Sequence, residues 1–403
     1  MRDFESKRMK RCQGSPTVKL MNRGKEMKRR GEDVLLFTIG EPNFNCPDAV
    51  KQAAIEAIEK NMTRYTPAAG TMEVRERIAR KLLEENGISA DPATDIIVTP
   101  SGKLAFFQAA MAFLDEGDDA MLLEPTWMTY NDIVRMTGAN CVSVPLSIEN
   151  NFVVTRELLE QYVTGKTKML ILCNPSNPTG HVMSKEEVEA VADFALAHDI
   201  LVVSDEIYER LIFDGRRHYS IGAIERVKDR VITLNGLSKS HIVCGFRCGW
   251  MVFSGPKGEL DEVKDGVMQL ASMRLCGNAL TQLVIPAALV DSESTHEMLV
   301  PGGRLFEQRK ATLEALDKID GVDYLPNHAA FYLFPRLDKS KFDFENAHDF
   351  AMKFLHEQHV LVIPGDGFDW HEDLRFRIVM LPEPETLTKA MGDMAYFLKQ
   401  HRV

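Results

Sequence analysis

Long apolar runs are absent from the sequence, and this absence limits the class of protein. No stretch reaches the roughly 18 apolar residues that a membrane-spanning helix needs. The first thirty residues are basic, but they lack the apolar segment of a secretory signal peptide. We therefore predict a soluble, cytoplasmic protein with no membrane partner. An organellar transit peptide is the alternative interpretation of the Arg-rich opening.

Cysteine is also scarce, and its spacing argues against both disulfides and a metal site. The seven cysteines lie at positions 12, 46, 141, 173, 244, 248 and 276. They form no C-x-x-C pair and their number is odd, which is typical of reduced thiols in a cytosol-like compartment. Cys244 and Cys248 lie four residues apart, but no cluster of His or Cys surrounds them, so we predict no metal.

A surplus of positive charge is missing as well. The 59 acidic residues outnumber the 48 basic ones, and the formal net charge of −11 disfavours a general binder of nucleic-acid backbones. We therefore predict no nucleic-acid partner. The chain does have length and apolar content, because 403 residues, 45% of them hydrophobic, are enough for two domains with sizeable cores.

Short apolar runs alternate along the chain with segments of helical periodicity. The runs are VLLFTIG (34–40), DIIVTP (95–100), AMLLEP (120–125), CVSVPL (141–146), KMLILCNP (168–175), ILVVSDEI (200–207), VITLNGLS (231–238) and CGWMVFS (248–254). A helical segment between two of them opens with a capping box, Ser184 and Glu187. This alternation predicts a mostly parallel sheet covered by helices on both faces. Beyond residue 255, longer helices and shorter strands predict a second, α+β domain.

Polar residues follow several of these runs. Ligands bind at the carboxyl ends of the strands in a parallel sheet, so these residues are candidates for a site. Ser101, Gly102 and Lys103 end one strand and open a helix, where free N–H groups and the helix dipole favour an anion. Trp127 follows the next strand. Taken alone, the first three residues are more often a helix cap, and a lone Trp is more often core or interface packing.

Two other strand ends carry less common patterns. The loop CNPSNPTG (173–180) is stiff and leaves the amides of Asn174 and Asn177 as donors. Asp205 ends a buried strand, and Tyr208 follows three residues later. A carboxylate at such a place is costly unless it meets a cation or a donor. A helix N-cap is the alternative explanation for Asp205.

The segment NGLSKSHIVCGFRCGW (235–250) adds two cations, Lys239 and Arg247, to apolar surroundings. A snorkelling surface lysine is the alternative for Lys239. The order Ser-Gly-Lys, Trp, Asn-Pro-x-Asn-Pro-Thr-Gly, Asp-x-x-Tyr, Ser-Lys and Arg resembles the fold-type I aminotransferases, which use pyridoxal 5′-phosphate (PLP). The resemblance runs from residue 15 to the C-terminus and includes the opening SPTVKLMNRGKEMKRRGEDVLLFTIGEPNF. The basic stretch is therefore interpreted as part of the mature enzyme.

The resemblance implies a fold and an assembly. The fold is α/β, with a large PLP-binding domain whose mostly parallel seven-stranded sheet is covered by helices, plus a smaller α+β domain. The implied boundaries are an N-terminal segment, 1–45, that joins the small domain, a large domain, 46–290, and a small domain, 291–403. The assembly is a homodimer in which Tyr65, in RYTPAAG, reaches the phosphate bound in the neighbouring subunit.

The resemblance also implies roles around the cofactor ring. An amino acid loses its Cα proton only if the carbanion is delocalised, and a protonated pyridine conjugated to an imine does this. Lys239 would form the internal Schiff base and then move the proton. Asp205 would pair with the ring nitrogen, while Tyr208 and Asn177 would hydrogen-bond the phenolic oxygen. Trp127 would stack on the ring face.

A second implied set of residues holds the phosphate. It comprises the backbone of Gly102 and Lys103, the Ser238 hydroxyl and the Arg247 guanidinium. Some relatives have a serine three residues before the lysine, where this chain has Gly236. The role of Ser238 is therefore inferred from its position in the sequence alone.

The substrate carboxylate needs its own anchor, and an arginine fork matches it best. The segment LRFRIVMLP offers Arg375 and Arg377, which strand alternation puts on the same face, so spacing does not choose between them. The resemblance favours Arg377, and a surface charge is the alternative for Arg375. Gly40, Trp127 and Asn177 would complete the substrate site.

The identity of the substrates is less determined. QLASMRLCGN, PGGRLFEQR and FRIVMLPEPETL are closer to bacterial and archaeal alanine aminotransferases, so we predict alanine or another small neutral amino acid, with 2-oxoglutarate as the partner. Arg304 either reaches a distal carboxylate or is only structural. An aspartate, aromatic or broad aminotransferase and a PLP-dependent carbon–sulfur lyase are alternatives. A regulatory module ordinarily needs a DNA-binding domain, and the 14 residues before the family-like opening are too few for one.

Overall fold

In a computed structural model of the chain, residues 4–12, 14, 16–255, 258, 260–290 and 293–403 are described. The helices are α1 Lys7–Arg11, α2 Thr17–Arg29, α3 Asp48–Glu59, α4 Met72–Lys81, α5 Gly102–Phe113, α6 Thr129–Thr137, α7 Arg156–Glu160, α8 Lys185–His198, α9 Asp261–Ser272, α10 Ala279–Gln282, α11 Ile285–Val290, α12 Glu293–Glu297, α13 Arg304–Leu316, α14 Ala347–Gln358 and α15 Pro384–Gln400. None of the helices in these ranges is both long and apolar enough to cross a bilayer.

The strands are short, as expected of a globular α/β protein. They are β1 Leu35–Leu36, β2 Ile96–Thr99, β3 Asp119–Glu124, β4 Asn140–Pro145, β5 Thr167–Cys173, β6 Leu201–Asp205, β7 Val231–Gly236, β8 Gly249–Phe253, β9 Val322–Asp323, β10 Tyr332–Leu333, β11 Arg336–Leu337, β12 Val360–Leu361, β13 Ile363–Pro364 and β14 Leu374–Val379. A π-helical turn, Leu82–Asn86, continues α4, and 3₁₀ turns lie at Ile221–Ala223, Lys228–Arg230, Cys244–Phe246 and Gly365–Phe368.

Seven strands form the large sheet, in the order β2-β8-β7-β6-β5-β3-β4. Neighbours are parallel except around β8, which runs antiparallel to both β2 and β7. The apolar runs between residues 95 and 254 supply these strands, so the predicted mostly parallel seven-stranded sheet is confirmed. The first run, 34–40, lies elsewhere, because only Leu35–Leu36 is a strand and it pairs with β12.

Helices cover both faces of the sheet because its central strands are apolar on both sides. In β5, Met169 and Ile171 join the core that contains residues of α5, α6 and α9. The alternating residues Leu170 and Leu172 join the core that contains residues of α8. Alternate side chains of a strand point to opposite faces of the sheet, so a strand between two cores must be apolar at successive positions. These runs therefore do not alternate between apolar and polar residues.

A smaller antiparallel unit follows in the chain. Strands β10, β11 and β13 pair antiparallel with β14, and β9 pairs with β11. Its core joins α14 and α15 and also takes in Leu20 and Phe37 from the N-terminal part of the chain. The predicted smaller α+β unit is thus present, while the boundaries at residues 45 and 290 stay predictions.

The two units meet beside the carboxyl end of β3. There, Asn131 Nδ2 donates to Glu124 Oε1 at 3.3 Å and to Asp369 Oδ2 at 2.6 Å, and Asn131 is fully buried. Arg135 Nη2 lies 3.7 Å from the same Asp369 oxygen. Burial, and then the charge of Asp369, raise the pKa of Glu124 to about 7. A carboxyl group that titrates near neutrality therefore lies in the contact between the two units.

We expect Glu124→Gln to change how stability depends on pH. The folded-state pKa is raised above the unfolded value, so the folded carboxyl group stays protonated while the unfolded one ionises, and wild-type stability falls as pH rises from 4.5 to about 7. That loss is about 3 kcal/mol for a fully expressed shift. The glutamine of the variant cannot ionise. Its free energy of unfolding should therefore equal that of the wild type below pH 4.5 and exceed it increasingly as the pH rises to about 7.

Chemical denaturation at several pH values between 4.5 and 8 measures this difference. Glu314→Gln, at an exposed glutamate of α13, is the control and should follow the wild type throughout. Parallel curves for the wild type and Glu124→Gln would contradict the role given to Glu124.

Candidate active site

The carboxyl ends of β3, β5, β6 and β7 lie along one edge of the sheet, since the four strands are parallel neighbours. The motifs that the sequence singled out follow these ends. Lys239 lies in the turn after β7, where its Nζ donates to the backbone oxygen of Gly40 at 2.6 Å. A Cβ on Gly40 would lie 1.9 Å from the hydroxyl oxygen of Tyr332, so this position requires glycine. The contact joins residues 199 positions apart in the chain.

Asp205 is the last residue of β6, and it is buried. Its carboxylate accepts hydrogen bonds from the Tyr130 hydroxyl at 2.6 Å and from the Ile207 N–H at 3.2 Å. Burial nonetheless raises the pKa of Asp205, which means that its negative charge is incompletely compensated. Tyr130 carried no signal of its own in the sequence, although it lies three residues after Trp127 and at helical spacing from it.

Positive charge gathers where α5 begins. The Ser101 hydroxyl accepts from the Leu104 N–H at 3.4 Å, and a Cβ on Gly249 would lie 2.7 Å from the Gly102 nitrogen, so β8 and the start of α5 approach closely. Partial burial, and then the charges of Arg247 and Lys239, lower the pKa of Lys103. A lysine whose charged form is disfavoured by two neighbouring cations indicates a place for an anion.

Arg247 and Ser238 lie side by side at this place. Arg247 Nη1 donates to the Ser238 hydroxyl at 3.4 Å and to the Cys244 carbonyl oxygen at 2.5 Å. Gly236, the departure from some relatives, has a physical reason, because a Cβ there would lie 2.6 Å from the Cys248 carbonyl oxygen. The backbone contact with β8 excludes a serine side chain at position 236 in this chain.

Arg375 and Arg377 have different partners although they share a strand face. Arg377 Nη1 donates to Asn177 Oδ1 at 2.8 Å and Nη2 to the Thr38 carbonyl oxygen at 2.5 Å. Burial lowers its pKa, and among the described residues no carboxylate lies within 4.0 Å of its guanidinium. Arg375 is fully buried, so the interpretation of it as a surface charge is wrong, and its Nε lies 2.9 Å from Asp373. Of these two arginines, Arg377 is the one without a carboxylate partner among the described residues.

A pair of tyrosines completes this side of the site. The hydroxyl oxygens of Tyr208 and Tyr332 lie 2.9 Å apart, and both side chains are buried. The Arg377 guanidinium lies 4.5 Å from the Tyr332 ring centre. Tyr332 carried no signal in the sequence, because only the position of β10 beside β14 brings it to the site.

Three other predicted residues lie less centrally. Trp127 is half-buried, meets Tyr130 edge-to-face at 5.4 Å, and has Lys103 Nζ 4.4 Å from its ring centre. Tyr65 is 81% exposed, so it serves no site within its own chain as the structure stands. Arg304 Nη2 lies 2.8 Å from the Glu383 carboxylate, so its charge already has a partner.

A buried ionic network lies directly behind Asp205. Glu206, Glu209 and His218 bring ligand atoms within 4.8 Å of one another, a spacing that suits a metal. However, the Lys81 ammonium group hydrogen-bonds Glu209, and, against the effect of burial, Lys81 and His218 hold the pKa of Glu209 at about 2. The ammonium group of Lys81 thus already supplies a positive charge beside Glu209.

Comparisons with known proteins agree with this geometry. The sequence model of the family Aminotransferase class I and II matches residues 32–393. The glutamate-pyruvate aminotransferase AlaA of Haemophilus influenzae is 32% identical over 380 residues, 93% of each chain. An aspartate aminotransferase of Pyrococcus abyssi is 34% identical over 372 residues, 92% of this chain and 93% of the relative.

Solved structures are similar over the same length. The alanine aminotransferase from Pyrococcus furiosus superposes with a TM-score of 0.93 at 30% identity, and the match covers 98% of this chain and all of the other. Both units and the site between them are included in that span. The chain therefore belongs to the class I and II aminotransferases, a family of PLP-dependent transferases with the type I fold.

Proposed function

We propose that this aminotransferase moves the amino group between alanine, or another small neutral L-amino acid, and 2-oxoglutarate. The observation that carries an amino-acid substrate is Arg377, a buried cation that has no carboxylate partner among the described residues. It is linked to Lys239 through the segment Thr38–Gly40, whose carbonyl oxygens accept from both side chains. A substrate α-carboxylate would supply the missing anion and place the adjoining Cα near the lysine.

The pairing of Arg304 with Glu383 supports a neutral donor. A distal carboxylate on the donor would have to compete with Glu383 for that guanidinium. The name of the Haemophilus influenzae relative gives glutamate and pyruvate, the substrates of the same reaction in its reverse direction. We therefore favour alanine over aspartate.

The residues fit PLP, which bears a phosphate, a basic ring nitrogen and an aldehyde. The backbone N–H groups of Gly102 and Lys103, the Ser238 hydroxyl and the Arg247 guanidinium would hold the phosphate. Asp205 would accept the N–H of the ring nitrogen, and that cation would offset the cost of burying the carboxylate. When bound, PLP supplies an electron sink for the electrons that the departing Cα proton leaves behind.

The side chains divide the remaining work. Lys239 is the residue that would hold PLP covalently, and its amine then accepts the proton from the substrate Cα. Asn177 orients Arg377 through its amide oxygen and would offer its amide nitrogen to the ring's phenolic oxygen, as would the Tyr208 hydroxyl. Trp127 would cover the ring face, and Gly40 leaves room for the substrate beside its backbone.

A homodimer is part of the proposal, with Tyr65 reaching the phosphate of the neighbouring subunit. Exposed apolar residues precede Tyr65 in the sequence, namely Ile55, Ile58 and Met62. Such a surface favours burial in an interface. Light scattering should give twice the 45.4 kDa of one chain, and a monomer at micromolar concentration would contradict this assembly.

A panel of amino donors with 2-oxoglutarate tests the substrate proposal. We expect alanine to give the highest kcat/KM and glutamate to appear as the product. Aspartate or an aromatic donor above alanine would overturn the choice of substrate but not the class of reaction. Release of pyruvate and ammonia from cysteine conjugates without a keto acid would instead show a carbon–sulfur lyase.

We expect Lys103→Met to weaken the binding of 2-oxoglutarate more than the binding of alanine. Lys103 is a cation beside Trp127 with no carboxylate within 4.0 Å among the described residues, so it can meet the distal carboxylate that alanine lacks. The KM for 2-oxoglutarate should rise about tenfold, as for the loss of one partly exposed charge contact. The KM for alanine is the internal control, and an equal rise in both would contradict this role.

A further inference from the structure

We propose that Tyr332 is a positioning residue that acts on both ends of the site, orienting the Tyr208 hydroxyl with its own hydroxyl and the Arg377 guanidinium with its ring. This inference rests on the proposed roles of Tyr208 and Arg377. It assigns a function to a residue of the small unit that neither holds the cofactor nor binds the α-carboxylate in the proposal above.

The hydroxyl contact sets the direction of a hydrogen bond. Tyr332 and Tyr208 are both buried, their rings meet edge-to-face at 5.6 Å, and their oxygens lie 2.9 Å apart. Burial, and then Tyr332, raise the pKa of Tyr208 well above its ordinary value, so Tyr208 keeps its proton and is a donor. If Tyr208 donates to the phenolic oxygen of PLP, its own oxygen is left to accept from Tyr332. Two hydrogen bonds in series polarise one another, so the Tyr332 hydroxyl strengthens the Tyr208 donor.

The ring contact concerns the other end of the site. The Arg377 guanidinium lies near two rings, 4.5 Å from the centre of Tyr332 and 4.8 Å from the centre of Phe368. Its hydrogen bonds go to Asn177 and to the Thr38 backbone, none of which carries charge. The ring faces therefore hold the cation in place electrostatically until a carboxylate arrives.

Gly40 explains why the Tyr332 hydroxyl can lie where it does. A Cβ at residue 40 would fall 1.9 Å from the Tyr332 oxygen and 2.7 Å from the ring carbon that carries it. The same glycine accepts the hydrogen bond from Lys239 Nζ. Tyr332 thus reaches the centre of the site through the space that the absent side chain leaves.

Two substitutions separate the two actions. Tyr332→Phe removes the hydroxyl and keeps the ring, whereas Tyr332→Leu removes both. A hydrogen-bond donor to the phenolic oxygen of PLP stabilises negative charge on that oxygen. A weaker donor therefore raises the pKa of the nitrogen that Lys239 contributes to its covalent link with PLP. The pH midpoint of the absorbance change of the PLP-loaded enzyme should therefore rise by about half a unit to one unit in Tyr332→Phe.

The kinetic constants complete the test. In Tyr332→Phe the KM for the amino donor should stay within about twofold, while in Tyr332→Leu it should rise about tenfold because the cation–π contact is lost. Tyr324→Phe, which removes a hydroxyl bonded to Asp317 in the same unit, is the control and should leave both quantities unchanged.

The outcomes distinguish this inference from the proposed function. A wild-type enzyme that binds PLP and titrates, together with a Tyr332→Phe variant of the same midpoint, would overturn the role of Tyr332 alone. Equal KM values for the wild type and Tyr332→Leu would overturn its action on Arg377. A wild-type protein without any PLP absorbance would overturn the proposed site, and with it this inference.

Discussion

Replacing Lys239 with alanine is expected to lower the rate of amino transfer by about ten-thousandfold or more, because one amine is asked both to hold PLP and to take the Cα proton. Its Nζ already lies at the carboxyl edge of the sheet, 2.6 Å from the Gly40 carbonyl oxygen. No other described lysine lies in the turn after β7. Steady-state assays with alanine and 2-oxoglutarate measure the loss.

Lys239→Arg separates charge from proton transfer. An arginine keeps the positive charge and can donate to Gly40, but it does not lose its proton in proteins and cannot serve as a base. We expect a loss of similar size to that of the alanine variant. Lys318→Ala, at an exposed lysine after α13, is the control and should retain wild-type activity.

Borohydride reduction gives the complementary result. The reduced wild-type protein should carry the mass of PLP on the peptide that contains Lys239, and the alanine variant should not. Activity within tenfold of the wild type in Lys239→Ala, or PLP mass on another peptide, would contradict the assignment.

Arg377→Lys is expected to lower kcat/KM for the amino donor by about a hundredfold. An ammonium group cannot make the two parallel hydrogen bonds of a guanidinium to a carboxylate, and the loss of about 2–3 kcal/mol corresponds to that factor. Most of the effect should be a rise in KM, since Arg377 would bind the α-carboxylate both before and during the reaction.

Arg375→Lys is the matched control, two residues away on the same strand. Arg375 is fully buried, bonded to Asp373 and 5.3 Å from the Phe152 ring, so lysine there should cost about 2 kcal/mol of stability. Its kcat/KM should stay within about twofold of the wild type. If Arg375→Lys raised KM and Arg377→Lys lowered only stability, the two roles would have to be exchanged.

Much of the fold could be predicted because its signals are local. Strands β5 and β6 are apolar on successive residues, which only a sheet covered on both faces explains. The capping box of Ser184 and Glu187 forms as predicted at the start of α8. The run 34–40 was less informative, because an apolar run does not show which strand it pairs with. Two of its residues pair with β12, far along the chain.

The candidate site divides in the same way. Lys239, Asp205 and Arg247 could be named because each lies in a motif directly after or between strands, where the residue type and its neighbours carry the information. Tyr130 and Tyr332 could not, since a tyrosine near an apolar run usually means packing. Their hydroxyls matter only because distant elements bring them to Asp205 and Tyr208.

The sequence by itself determined the order of the chemistry-bearing residues, the parallel sheet whose edge they follow, and the family to which they belong. Only the tertiary structure showed that Arg375 and Arg377 have different partners, since the two share a strand face and differ in what packs against them. It also explained Gly236, whose missing side chain makes room for the Cys248 backbone. Periodicity reports which face a residue occupies, but the partner on that face is set by packing between elements far apart in the chain.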